Sequence, residues 1–313
     1  MSARRSAALI VAALLLGVVA PARAQFSTFG AFDTVHTNAL QSNERTGDFT
    51  IPGRFTATRQ GTEIEGDRAQ GNAATKQVEI DGNVVVHFTR PLQIVGEPPS
   101  SAQGPSTLTC DQLQIDGAHQ VYHAIGNVHF TQNTRETTSD RADLDGATDQ
   151  LRLSGRIAIR ETGGSHSGVG GFDTIQAAAI DSNPVTGNFT IPDRFTATRE
   201  GLQITGDRAT GNSVTKRVSI TGNVVVVLES VPVNGPSPSP VPSPTATPMP
   251  PTLTCDRLDI DGVHRVYHAI GDVHYQEPGR DITADRADIS EVHTHLHLQG
   301  NVHVTETEQS GAS

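Results

Sequence analysis

Apolar and polar residues alternate strictly through residues 296–304, LHLQGNVHV, near the end of the chain. Such alternation is typical of a β-strand with one apolar face and one polar face. Residues 283–289, TADRADI, alternate in the same way, and their Asp285 lies fifteen residues before Gly300. The two runs predict one strand-turn-strand unit.

This unit recurs along the chain with the same spacing between an aspartate and a glycine. The six pairs are Asp67/Gly82, Asp111/Gly126, Asp140/Gly155, Asp207/Gly222, Asp256/Gly271 and Asp285/Gly300. A fixed period indicates stacked modules, none of which buries its apolar face alone. Because a glycine within a strand usually marks a bulge or bend, we predict that each of these glycines bends its strand. Calcium binding by the aspartates is the alternative, but the nine-residue period of calcium β-rolls is missing, which favours a turn or solvated role.

The apolar residues around each glycine predict one continuous apolar face. They are Val78, Ile80, Val84, Val86, Leu113, Ile115, Tyr122, Val128, Phe130, Leu151, Leu153, Ile157, Ile159, Val218, Ile220, Val224, Val226, Leu258, Ile260, Tyr267, Val273, Tyr275, Leu296, Leu298, Val302 and Val304. Two sheets bearing this face either close on each other as a dry sandwich or splay and leave room for a ligand. The residues alone favour the sandwich.

The sequence also contains a tandem duplication. Residues 47–88 align without gaps on residues 187–228, with 28 of 42 positions identical and an offset of 140, which becomes 145 from Cys110 onward. We therefore predict a first β-domain at residues 25–161, a flexible hinge at 162–171, a second β-domain at 172–306 and a disordered tail at 307–313. Long loops interrupt the domains at residues 89–106 and 229–251. The second loop is proline-rich and is either a spacer, which we favour, or a recognition segment.

The first 24 residues have the composition of a signal peptide. A basic start with Arg4 and Arg5 precedes an apolar stretch at residues 7–20 and the small-residue cleavage pattern Ala22-Arg23-Ala24. This pattern predicts export, with a retained N-terminal anchor as the alternative. Removing these residues, which hold three arginines and no acid, changes the formal net charge from -11 to -14. Such a charge excludes nucleic acid as a partner.

Histidines and cysteines are the remaining candidates for chemistry. His293, His295, His297 and His303 could ligate zinc or copper, but adjacent same-face side chains in a strand are about 7 Å apart, so a solvated face is favoured and no metal or other cofactor is predicted. Cys110 and Cys255 occupy equivalent positions in the two halves, too far apart to form a disulfide in a stack. We expect free thiols, facing away from Leu113 and its neighbours. No catalytic motif appears, so no catalytic residue and no enzyme activity are predicted.

Several of these motifs resemble a known family. The run Ala284-Asp285-Arg286-Ala287-Asp288 followed by residues 296–304, and residues 140–143 followed by residues 151–159, are similar to the OstA-like (LptA/LptC) family of periplasmic lipopolysaccharide-transport proteins. The resemblance covers most of residues 30–306, and the layout is most similar to LptA with its domain duplicated.

The resemblance implies the fold, ligand and partners. The family fold is an incompletely closed β-jellyroll, two sheets meeting as a V around an apolar groove that shields acyl chains. It implies a periplasmic bridge protein that binds lipopolysaccharide or another acylated lipid and pairs edge to edge with LptC-like and LptD-like proteins or with itself. It also reverses the preference for a closed sandwich. The alternatives are a structural or adhesive exported β-solenoid with a dry core and an LptC-like anchored assembly partner.

Overall fold

The computed structural model describes residues 32–59, 62–88, 106–161, 171–183, 185–199, 201–228, 250–290 and 295–306. These residues form 22 strands in one antiparallel hydrogen-bonded sheet, with no α-helix in the same ranges. The prediction of an all-β fold is confirmed. The predicted signal peptide, the tail, nearly all of the hinge and most of both long loops lie outside the described residues.

The described residues of the first half form eleven strands. They are β1 (Thr34–Thr37), β2 (Gln41–Ser42), β3 (Asp48–Ile51), β4 (Phe55–Arg59), β5 (Thr62–Gly66), β6 (Arg68–Asn72), β7 (Gln77–Phe88), β8 (Ser106–Asp116), β9 (Val121–Gln132), β10 (Arg135–Asp145) and β11 (Gln150–Glu161). Turns of four residues or fewer join the last three strands, as expected for antiparallel neighbours.

The second half, in the ranges given above, also forms eleven strands. They are β12 (Thr174–Ser182), β13 (Asn188–Ile191), β14 (Phe195–Arg199), β15 (Leu202–Gly206), β16 (Arg208–Asn212), β17 (Arg217–Leu228), β18 (Thr252–Asp261), β19 (Val266–Glu277), β20 (Arg280–Ser290), β21 (His295–Gln299) and β22 (His303–Glu306). β12 corresponds to β1 and β2 together, and β21 with β22 corresponds to β11.

Each long strand crosses between two walls of the sheet. The first part of β7 pairs with β6 and its last part pairs with β5, and the register shifts between Asp81 and Val84. β17 divides in the same way between β16 and β15. We call the line of register shifts the crease, and the ends of the two walls away from it the mouth. Side chains of both walls that point between them form the interior.

The two halves join through a regular β-ladder. β11 pairs with β12 from Leu151↔Ser182 to Arg160↔Thr174, so the sheet continues across the predicted hinge. Two apolar clusters fill the interior, one from Phe32 to Val128 and one from Leu153 to Ala287. β11 therefore packs with the second cluster, and Ala142 touches both.

The cysteines correct one prediction from the sequence. Cys110 and Cys255 are free, as expected, but they lie in the interior beside the apolar residues instead of facing away from them. The reason is the register shift between Thr109 and Gln112, which reverses the inward parity of β8 at Asp111. Burial raises the pKa of both thiols to about 11, so they remain protonated.

Candidate functional site

The recurrent aspartate and glycine meet at the crease. Each of the six glycines has a positive φ, and each faces the aspartate that lies fifteen residues earlier. The residue after the glycine donates a hydrogen bond to that aspartate in several units, as in Asn83 Nδ2 to Asp67 Oδ2 at 2.7 Å and Asn127 Nδ2 to Asp111 Oδ2 at 2.9 Å. The spacing of fifteen therefore brings one carboxylate onto one bulge in every unit.

Five of the six glycines lie inside strands that continue past them, so the predicted bend is a bulge and not an interruption. Gly126 shows this geometry, because β9 runs unbroken from Val121 to Gln132 while its register against β8 shifts beside the glycine. Gly300 differs, since β21 ends at Gln299 and β22 begins at His303. The φ values are +78° at Gly82, +76° at Gly126, +86° at Gly155, +78° at Gly222, +77° at Gly271 and +69° at Gly300.

One unit departs from the hydrogen-bonding arrangement in a testable way. Asp272 follows Gly271 where four other units have asparagine, and a second carboxylate cannot donate to Asp256. We expect Asp272→Asn to raise the free energy of unfolding by roughly 1 kcal/mol, because it replaces two like charges with a hydrogen bond. Urea unfolding of the variant and the parent protein measures this gain. Asp259→Asn, at a carboxylate that accepts from Arg257 Nε at 2.8 Å, is the control and should not stabilise.

Most of the residues predicted to line a groove are packed in the interior. Eighteen of them are 0–8% exposed: Val78, Ile80, Val84, Val86, Leu113, Ile115, Val128, Leu153, Ile157, Ile159, Val218, Ile220, Val224, Val226, Leu258, Ile260, Tyr267 and Val273. Tyr122, Phe130, Leu151, Tyr275 and Leu298 are half-buried. The two walls thus close on each other over most of their length.

The apolar face opens at the C-terminal edge of the sheet. Leu296, Val302 and Val304 are 49%, 48% and 49% exposed. Their strands, β21 and β22, pair on one side with β20 and with no other described strand. At the other edge, Leu40 is 38% exposed. The interior stripe therefore reaches solvent at both ends of the described sheet.

The mouth carries polar side chains that point into the interior. In the first half, a cross-strand row joins Thr62, Phe88, Ser106, Gln132 and Arg135, and all but the last of these are less than 10% exposed. Arg135 Nε donates to Glu161 Oε2 at 3.2 Å, and the two side chains are only 10% and 4% exposed. This row, which is polar except for Phe88, separates the apolar interior from solvent.

Arginine also occurs at the mouth of the second half, where sequence reasoning missed it. Arg199 ends β14 and is 3% exposed, and its Nε and Nη1 are buried with no hydrogen-bond partner among the described residues. The signal is present in the sequence, since Phe195, Ala197 and Arg199 share the inward parity of β14. The stretch that contains Arg199 is nearly identical to its counterpart in the first half, so it was interpreted only as part of the duplication.

The outer face carries pairs of histidine and acid. His123 Nδ1 lies 2.5 Å from Asp143 Oδ1, and the equivalent His268 Nδ1 lies 2.6 Å from Asp288 Oδ1. Burial raises the pKa of Asp143, but hydrogen bonds from Arg141 and His123 more than offset this effect, so the net pKa is lowered. The same balance lowers the pKa of Asp288. These pairs hold neighbouring strands in register.

The histidines proposed as low-priority metal ligands do not converge. His297 Nδ1 is 3.9 Å from Asp288 Oδ2, and His303 Nε2 lies 3.3 Å from Thr305 Oγ1. His293 and the side chain of His295 lie outside the described residues. In the described ranges, no three His, Cys, Asp or Glu side chains are placed to hold a metal ion. An outer-face cleft of about 360 Å³ is lined mainly by polar side chains, including Gln70, Glu79 and Gln114.

Comparisons with known proteins agree with the repeat motifs. A family model described as lipopolysaccharide-assembly, LptC-related, matches residues 121–229, from the start of β9 to just beyond β17. Among solved structures, the chain is similar to LptH from Pseudomonas aeruginosa, described as the LptA-homologous periplasmic component of the lipopolysaccharide transport device. That similarity has 10% sequence identity and a TM-score of 0.34, and it covers 41% of this chain and 94% of that chain. No curated protein matches the sequence.

The class of protein is an all-β chain built from one antiparallel sheet. More particularly, residues 121–229 are similar to the LptC-related family, in agreement with the resemblance carried by the repeat motifs. The family match runs across residues 162–171, so it joins strands of both halves. Among the described residues, no helix has the length and apolar character needed to cross a membrane.

Proposed function

We propose that this protein is a periplasmic bridge that shields the acyl chains of lipopolysaccharide and takes part in its transport to, and assembly in, the outer membrane. The observation that carries the proposal is the unbroken apolar stripe. It runs through both clusters, continues across the β11–β12 ladder and reaches solvent at Val302 and Val304. The match to the LptC-related family over residues 121–229 supports the same function.

Acyl chains enter, in this proposal, when the two walls separate at the mouth. Contacts inside the interior are apolar and non-directional, so a bound chain gains about 25 cal/mol for each Å² that it buries. No single contact pins the chain, and it can slide along the stripe. The acyl chains lie against residues such as Ile80, Ile157 and Val302. The glycine bulges at the crease supply the bend about which the walls separate.

Site-specific photo-crosslinking tests this placement. A photoreactive residue at Ile157 or Val302 is expected to capture lipopolysaccharide, because both positions belong to the apolar stripe. The same residue at His303, which lies next to Val302 but on the outer face, is the matched control. Mass spectrometry of the captured product identifies the lipid. Equal capture at Val302 and His303 contradicts the proposal.

The ends of the sheet provide the partner surfaces in this proposal. β21 and β22 occupy the place of β11, and β1 and β2 occupy the place of β12, so the two free edges are repeat equivalents of surfaces already paired inside the chain. We propose that the protein joins LptC-like and LptD-like proteins, or a second copy of itself, through these edges. The interior stripe then continues from one protein to the next.

A second candidate is a structural β-solenoid with a dry core. The observation in its favour is the close packing of the interior, where eighteen of the predicted groove residues are 0–8% exposed. Delipidated protein mixed with a fluorescent fatty-acyl probe separates the two candidates. A transport bridge takes up the probe and gives a saturable signal, whereas a closed core gives none.

A further inference from the structure

A positively charged side chain lies at the end of the apolar stripe in the second half. Along β14, Phe195 and Ala197 are 2% and 0% exposed and point into the interior. Arg199 follows with the same parity and is 3% exposed. β14 pairs with β15 at Arg199↔Leu202, and Leu202 in turn pairs with Leu228, so Arg199 belongs to the mouth row of its wall. The guanidinium is thus the last inward-pointing group of this stripe.

The guanidinium of Arg199 forms no ion pair with the described residues. Its Nε and Nη1 are shielded from solvent and have no hydrogen-bond partner, and no described carboxylate forms an ion pair with it. Burial of an uncompensated charge costs several kcal/mol, which proteins normally offset with an anion and hydrogen bonds. The position therefore calls for an anion with two or more acceptor oxygens, the geometry that a guanidinium fork recognises best.

The opposite wall brings the turn that carries Lys216 to the same point. A Cβ placed on Gly262 would lie 3.2 Å from Arg199 Nη1, 3.1 Å from the Cβ of Lys216 and 2.9 Å from the Lys216 carbonyl oxygen. Gly262 N–H donates to that carbonyl at 2.8 Å, which fixes the two turns together. Lys216 is half-buried and forms no ion pair with a described residue. Because Gly262 has no side chain, Arg199 Nη1 and the Lys216 turn can approach each other this closely.

Asp173 and Asp261 are described acids near this mouth, and neither forms an ion pair with Arg199. Asp173 neighbours Arg199 across the β12–β14 pair, where the Asp173 N–H donates to the Thr198 carbonyl oxygen at 2.8 Å. Asp261 is engaged by other residues. Asp261 Oδ2 lies 3.0 Å from His264 Nδ1 and 3.5 Å from Arg217 Nη2. Its inward neighbours along the strand are Ile260 and Gly262, so the Asp261 carboxylate is on the outer face. Arg199 Nη1 and the Cβ of Lys216 therefore both lie beside Gly262, and no described carboxylate forms an ion pair with either residue.

We propose that Arg199 and Lys216 form an anion site at the mouth of the second half, which binds the phosphate or carboxylate of an anionic amphiphile. The charged group lies between the two cations, and the attached apolar chain extends past Ala197 and Phe195 into the interior. This site rests on the proposed function, because the apolar chain needs the interior to open. The site gives the groove a direction, because the charged headgroup is held at one end of the apolar stripe.

Calorimetric titration of the full mature chain with three probes tests the site. The probes are decyl phosphate, decanol and inorganic phosphate. We expect decyl phosphate to bind at least tenfold more weakly to Arg199→Met than to the parent protein, whereas decanol binds both equally. Lys216→Met should weaken decyl phosphate several-fold, and Arg199→Lys should restore part of the affinity. Arg208→Met, at an exposed arginine of the neighbouring strand pair, is the matched control and should change nothing.

The possible outcomes separate the site from the proposed function. If neither decanol nor decyl phosphate binds the parent protein, the proposed function fails. If both bind, and Arg199→Met binds decyl phosphate as tightly as the parent, only the anion site is overturned. Inorganic phosphate binding as tightly as decyl phosphate overturns the assignment to an amphiphile.

A further variant tests whether the chain supplies its own anion. Glu200 and Glu229 are the nearest acids in sequence to Arg199 and Leu228, and both lie outside the described residues. We expect the double variant Glu200→Gln/Glu229→Gln to bind decyl phosphate at least as tightly as the parent and to keep its thermal stability. If the double variant instead loses thermal stability and binds decyl phosphate no better than the parent, a carboxylate of this chain pairs with Arg199, and the proposal is overturned.

Discussion

Replacement of Gly155 by alanine is expected to lower the free energy of unfolding by about 3 kcal/mol. Gly155 has a φ of +86°, a region that side chains rarely adopt. A Cβ at this position would also lie 2.3, 2.4 and 2.6 Å from three side-chain atoms of Asp140. Asp140 cannot move aside freely, because the N–H and the guanidinium of Arg156 donate to its carboxylate at 3.1 and 2.8 Å. Urea unfolding followed by circular dichroism measures the loss.

Another glycine supplies the control for this substitution. A Cβ added at Gly53 would meet no atom within 4 Å, and Gly53 has no positive φ, so Gly53→Ala should change stability by less than about 0.5 kcal/mol. The double variant Asp140→Ala/Gly155→Ala removes the overlap with the carboxyl group but keeps the overlap with the Cβ of residue 140 and the unfavourable φ, so it should recover only a small part of the loss. If Gly155→Ala is as stable as Gly53→Ala, the crease does not depend on this bulge.

The sequence predicts the strands well because each unit repeats one local pattern. Alternation around Gly300 predicts β21 and β22, and the same alternation around Gly82 and Gly222 predicts β7 and β17. Hydrophobic parity is a local property, and a strand that buries one face must display it. The spacing of fifteen between aspartate and glycine also has a local cause, since one hairpin brings the two residues together.

Other features depend on geometry between strands, which alternation does not encode. The reversal of parity at Asp111 arises from a register shift against β7, so Cys110 points inward although its position in the alternation predicts the opposite. Closure of the interior depends on how the two walls face each other, and the same inward residues fit a packed or a splayed pair. Arg199 was not predicted as a site residue for a related reason. Its guanidinium lies next to Gly262, and the two residues belong to walls that are distant in sequence.

Replacement of Val304 by glutamate is expected to weaken end-to-end assembly of the protein about a hundredfold, because a carboxylate would be buried without a partner at the junction. The template for that junction is the β11–β12 ladder, where Ile159 lies opposite Ile175 and both are buried. Val304 is the repeat equivalent of Ile159, and Val35 is the equivalent of Ile175. Val304 is 49% exposed in the single chain, so the substitution should leave folding intact.

Sedimentation equilibrium over a range of concentrations measures this assembly, with thermal unfolding as the check on folding. His303→Glu introduces the same charge one residue away on the outer face and is the matched control, which should assemble as the parent protein does. Leu40→Glu, at the opposite edge, should weaken assembly as Val304→Glu does, because its repeat equivalent Ile180 lies opposite Leu153 in the internal ladder. A Val304→Glu protein that still assembles like the parent contradicts an edge-to-edge junction, since a repeat of the internal ladder cannot form without burying this position.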